Sequence, residues 1–213
     1  MLKISTVLDN IIATDLVAKK AIERGIMNYS SYARSLKDMI EEKTKKEVDE
    51  KTIMVALSRL SKRFRKSDKM EHFSIHALSV NSGLEEWSYE KTEELLKAIA
   101  KLNNSLELSY KSYVTISQGI NEVTIIAQSD IAKKFSKALE AFNLIYSNKR
   151  LAGITVKFDL DYLQTPNFFA HLTSTLSLKD INIVEIVSTA SELTLIVDKD
   201  DIEECVKLLS VYL

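Results

Sequence analysis

Cysteine, proline and glycine are scarce: the 213-residue chain has one Cys, one Pro and four Gly. A single thiol, Cys205, allows no disulfide within the chain and fits a reducing compartment. With so few Pro and Gly to punctuate it, the chain's organisation must be read from hydrophobic periodicity. The opening MLKISTVLDNIIATD is interrupted by Asp9 and Asp15, so it reads as neither a signal peptide nor a membrane span, and a cytoplasmic location is expected. No Gly-rich phosphate loop occurs, because Gly25 and Gly83 stand alone. The three histidines, His72, His76 and His171, are joined by no Cys or acidic cluster, so no metal, cofactor or catalytic centre is expected.

The sequence is 46% hydrophobic and 28% charged, which supports a folded core in one or two domains. Net charge is −1 but unevenly placed. Residues 1–71 carry 16 Lys or Arg against 11 Asp or Glu, whereas residues 72–213 carry 13 against 19. Such asymmetry marks a nucleic-acid-facing module or, equally, a solvated helix face.

Val7, Ile11, Ile12, Leu16, Ala18 and Ile22 recur at helical spacing over Ser5–Arg24, with Gly25 as the stop. Asn28 or Ser30 can cap a second helix with Tyr32, Leu36 and Ile40 on one face. A third helix from about Asp49 to Lys66 places Ile53, Leu57, Leu60 and Phe64 on its apolar stripe. A three-helix domain over residues 1–70 is expected. Arg59, Lys62, Arg63, Arg65 and Lys66 form a basic cluster able to contact phosphates, although Asp49 and Glu50 at the helix start would repel them.

From Phe73 the period changes. Phe73, Ile75 and Ala77 alternate as in a strand, and Asn81–Gly83 reads as a linker. A helix starting near Trp87, strands in LELSYKSYVTI and NEVTIIAQ, and a helix SDIAKKFSKALEAF follow, giving β-α-β-β-α. TIIAQSDIAKKFSKAL (124–139) then recurs as TLIVDKDDIEECVKLL (194–209), about 70 residues later, which argues for a duplicated unit. Asp200 with Glu203 has the form of a capping box. The expected class is α+β, with units at 71–148 and 149–213 after the helical domain. The second unit lacks a final strand, which the segment near Phe73 could supply.

The run LAGITVKFDLDYLQTPNFFAHLTSTLSLKDINIVEIVSTASELTLIVDKDDIEECVKLL resembles an ACT domain, most closely the C-terminal regulatory repeats of aspartokinases. The resemblance implies ferredoxin-like βαββαβ units with antiparallel sheets, paired to bind a small effector, usually an amino acid, where two units meet. It implies a non-catalytic regulator and a homodimer. Carried onto this chain, the implied effector residues are Pro166 and Asn167, the latter in place of a usual glycine, together with Asn182, Gln164 and Asp161. The leader resembles the helix-turn-helix class in helix count, leaving DNA binding open beside a role as helical cap. A regulatory subunit or an interaction module with degenerate ligand sites is the alternative.

Overall fold

The computed structural model describes residues 2–64, 73–110 and 112–213. It divides into two compact units, Met1–His72 and Phe73–Leu213.

Among the described residues the first unit has four helices where three were expected: α1 (Ile4–Thr14), α2 (Leu16–Glu23), α3 (Tyr29–Thr44) and α4 (Glu50–Phe64). The extra break is Asp15. Its backbone leaves the helical region, and its carboxylate accepts the Ala18 amide at 2.8 Å and the Tyr32 hydroxyl at 2.9 Å. Asp competes with the backbone for local hydrogen bonds, so a polar position inside the helical period becomes a cap. Gly25 closes α2 at φ 70, with Gly25 N–H donating to Ile22 and Ile26 N–H to Ala21, a Schellman ending. Asn28 caps α3 through Ser31 N–H. Leu8, Ile12, Ile22, Ile40, Ile53 and Leu57 form the centre of this unit's core.

The second unit is one six-stranded antiparallel sheet in the order β2-β3-β1-β4-β6-β5. Along the chain it runs β1 (Ala77–Glu90), α5 (Glu93–Ser105), β2 (Val114–Gln118), β3 (Glu122–Gln128), α6 (Ser129–Ala138) and β4 (Leu144–Lys157). Then come α7 (Phe168–Ser177), β5 (Ile183–Ser188), β6 (Glu192–Asp198) and α8 (Ile202–Leu209). The 14-residue strands β1 and β4 each serve two sheet halves. Residues 84–90 of β1 pair with β3, while 77–81 lie against 153–157 of β4. Residues 151–157 of β4 pair with β6. The start of β1 therefore borders the second half as its fourth strand, and the start of β4 does the same for the first.

This sharing corrects several expectations. Asn81–Gly83 is no linker; it lies inside β1, where the register with β4 shifts between Asn81 and Leu84 and Gly83 takes φ 66. Trp87–Glu90 is strand, not helix start, because it pairs with β3 and β4 on both sides. The boundary drawn at 148/149 falls inside β4. The capping box is absent too: Asp198 accepts Asp200 N–H, and the Asp200 carboxylate turns to Arg150.

The helices form two cores. Residues of α5 and α6 pack with Tyr89, Val123 and Ile125, and residues of α7 and α8 with Ile154, Val156, Leu193 and Leu195. A third cluster, Leu84, Ile126, Leu151 and Ile196, is made of strand residues alone and lies on the sheet's other face.

Candidate effector site

Beyond Lys157 the chain turns through Phe158 and a 3₁₀ segment, Leu160–Gln164, into α7. The alternation of exposed and inward residues fixes this loop. Leu160 and Leu163 face solvent, while Tyr162 stacks on Phe168 at 4.6 Å and 14°. Phe73 meets the edges of Tyr162 at 5.8 Å and Phe168 at 5.4 Å, and the Tyr162 hydroxyl accepts the Ser74 amide at 3.2 Å. His76 pairs with Asp159 at 2.8 Å. The loop is thus anchored from inside by aromatic rings and from the side by residues 73–76.

Its outer surface carries Asp161, Gln164, Pro166 and Asn167, all exposed. Asn167 stands at the start of α7 with φ 71 and ψ 0, the left-handed conformation, and its side chain makes no capping hydrogen bond. Asn is among the few residues with a side chain that tolerate this geometry. The first turn of α7 therefore presents amide groups with no side-chain cap, an arrangement that favours an anion.

Asn182, also exposed, precedes β5 after a turn in which Asp180 has φ 56. It is not near the loop. Lys157 pairs with Glu192 and Ile183 with Val197, so the two features sit at opposite ends of β6, about 17 Å apart along the strand. One chain brings Asp161, Gln164, Pro166 and Asn167 together and leaves Asn182 apart.

In the first half, the connection matching this loop is Lys91–Thr92, not Asn81–Gly83. Thr92 Oγ1 accepts Leu95 N–H at 3.1 Å, so α5 is capped by its own side chain. Tyr113 occupies the position corresponding to Asn182, just ahead of β2.

No protein-family model matches the sequence, and no curated protein matches it. Solved structures do. The ligand-free regulatory subunit of aspartate kinase from Thermus thermophilus superposes with TM-score 0.54 at 12% identity, covering 65% of this chain and 98% of that one. The Thermus flavus regulatory subunit gives 0.53 at 13%, covering 65% and 98%. Clostridium acetobutylicum aspartate kinase gives 0.55 at 13%, with 70% of this chain matched to 37% of the enzyme. Over about two thirds of this chain the fold is like that of these aspartate kinase regulatory subunits.

Within this ACT-like fold, residues outside the loop take structural roles. Cys205 is fully buried on α8, and burial, followed by the charges of Asp201 and Glu204, pushes its thiol up to about 11, so it stays protonated and unreactive. His171 meets the Tyr212 hydroxyl at 3.1 Å. In the helical unit Arg59 and Lys62 are exposed on α4, and Arg63 is paired with Asp9. Arg65, Lys66 and His72 lie outside the described residues. Glu50 pairs with Arg34 at 3.5 Å.

Sequence reasoning missed Glu86. It is 4% exposed in β1, its Oε2 is buried without a hydrogen-bond partner among the described residues, and burial together with the Glu185 charge pushes its carboxyl up to about 6. The only signal in the sequence is the acidic pair Glu85–Glu86 in a stretch that proves to be a central strand.

Proposed function

We propose that this chain is a non-catalytic, cytoplasmic regulator in which Phe73–Leu213 acts as a pair of ACT-like units that sense an amino acid or a similar small metabolite. The carrying observation is the α7 N-terminus, where left-handed Asn167 leaves amides free of a side-chain cap and suited to a carboxylate. Pro166, Asn167, Gln164 and Asp161 contribute the loop side of the site. Asn182 belongs to the other side, and its distance from the loop within one chain supports a site completed by two copies, as in a homodimer. The effector then favours one arrangement of the copies by its differential affinity for the two.

The domain limits in this reading are a helical leader to residue 70 and two ACT-like halves meeting within β4. A helix-turn-helix role for the leader, and with it transcriptional control, rests on Arg59 and Lys62 as exposed cations. The Arg63–Asp9 and Arg34–Glu50 pairs favour instead a helical cap that contacts protein, as in a regulatory subunit of a separately encoded enzyme.

A thermal-shift screen of the full chain against the twenty amino acids tests the sensor. One of them at a hundredfold excess over its Kd should raise the midpoint by about 5–10 °C. Asn182→Ala should shrink that rise without changing the unliganded midpoint, since Asn182 is exposed. A flat response to all twenty counts against sensing and for an interaction module with a degenerate site.

A further inference from the structure

The helix-free face of the sheet contains a second, differently built feature. Its floor is Leu84, Ile126, Leu151 and Ile196, none more than 2% exposed. Tyr113, ahead of β2, and Val184, in β5, both pack on this floor although β2 and β5 are opposite edges of the sheet. The sheet therefore curls into a trough on this side. Glu86, 4% exposed as a residue, shares the face of Leu84 and of its pairing partner Ile126, so its side chain points into the trough, where Oε2 is buried. The Tyr113 hydroxyl is likewise buried there without a partner among the described residues. Glu185, aligned with Ile196, is close enough for its charge to act on Glu86.

The internal duplication shows that the fold does not require this carboxylate. Two hydroxyl pairs mark equivalent places in the halves: Ser88–Thr124 between β1 and β3, and Thr155–Thr194 between β4 and β6, both at 2.8 Å. Two residues before Ser88 stands Glu86; two residues before Thr155 stands Gly153. The same site in the same fold thus takes a residue with no side chain in one half and a buried acid in the other. No ion pair among the described residues includes Glu86 or Glu185; the nearby cation Arg150 serves Asp198 and Asp200. An ionised carboxylate in such a place is strongly unfavourable unless a cation joins it.

We propose that this trough binds a compact monocation, as a free ion or as the ammonium end of a small amine, with Glu86 as its main ligand. Glu185 supplies further negative charge and the Tyr113 hydroxyl an oxygen donor. The site is separate from the 161–167 loop and stands whether or not that loop binds an amino acid.

The test is the melting midpoint of the full chain at pH 8 and constant ionic strength in tetramethylammonium chloride, potassium chloride, ammonium chloride or propylamine hydrochloride. Tetramethylammonium is too bulky to enter and sets the reference. The midpoint should rise by about 2–4 °C in a salt whose cation binds. A rise in potassium and ammonium alone identifies a free ion; a larger rise in propylamine identifies an amine end. Glu86→Gln should melt at one temperature in every salt, and Glu185→Gln should show a reduced shift. Equal wild-type midpoints in all four salts, or an undiminished shift in Glu86→Gln, would overturn the proposal. The wild-type comparison and Glu185→Gln decide the matter even if Glu86→Gln does not fold.

Discussion

Phe168→Ala is expected to destabilise the Phe73–Leu213 unit by about 3–5 kcal/mol, among the largest losses a single truncation gives. The ring is 1% exposed and sits at the meeting point of Tyr162 (4.6 Å), Phe158 (4.9 Å) and Phe73 (5.4 Å). Its removal takes away transfer energy and opens a cavity that the loop and the 73–76 segment, held by the same rings, cannot both fill. Urea titration followed by tryptophan fluorescence reads this unit alone, because Trp87 is the only tryptophan. The midpoint should fall at unchanged slope. A loss below about 1 kcal/mol would show that the rings are not what fixes the loop.

Glu86→Gln should act in the opposite direction and only above acid pH. Folding raises the Glu86 carboxyl from an ordinary 4.5 to about 6, through burial first and the Glu185 charge second. The native state therefore holds this proton more tightly than the unfolded chain does. The Glu86 contribution to wild-type stability falls as pH rises from about 4.5 through 6, and its full penalty persists above that. A shift of this size is worth about 2 kcal/mol. Glutamine carries no such penalty, so in tetramethylammonium buffer the variant should match wild type near pH 4 and exceed it by about 2 kcal/mol at pH 8. Melting midpoints across this range check it; a variant less stable than wild type at pH 8 would mean that Glu86 is ionised and satisfied.

Much of the second unit was legible because its buried strands carry unbroken apolar runs, TIIAQ and TLIVD, each followed by an acidic residue and an amphipathic helix. The recurrence of that block revealed the duplication. The resemblance put Asn167 where a glycine is usual, and its φ of 71 is the left-handed conformation that Asn tolerates. The central strands were harder. Trp87–Glu90 abuts the helical pattern of α5, and only pairing on both sides, with β3 and with the distant β4, makes it strand. Asn81–Gly83 has turn composition, yet the chain uses it as a bulge that lets one strand serve both halves. Asp15 falls within a helical period yet caps α2, because its carboxylate accepts the Ala18 amide and the Tyr32 hydroxyl of α3.

The candidate site was legible as residues but not as geometry. The loop residues 161–167 are neighbours in the chain, so their grouping needed no tertiary knowledge. The separation of Asn182 follows from α7 lying between it and the loop and from the register of β5 on β6, neither of which a local motif records. Glu86 escaped because a glutamate in a charged-looking stretch reads as surface until its strand is placed at the sheet's centre.

That two copies complete the effector site is the central claim, and cross-linking tests it most directly. Asn167→Cys and Asn182→Cys chains would be prepared separately, mixed, and treated with a short bismaleimide; buried Cys205 does not react. The mixture should yield a covalent dimer that neither variant forms alone, and the double variant should form no link within one chain. A link closed inside single chains of the double variant, with no dimer from the mixture, would contradict the claim.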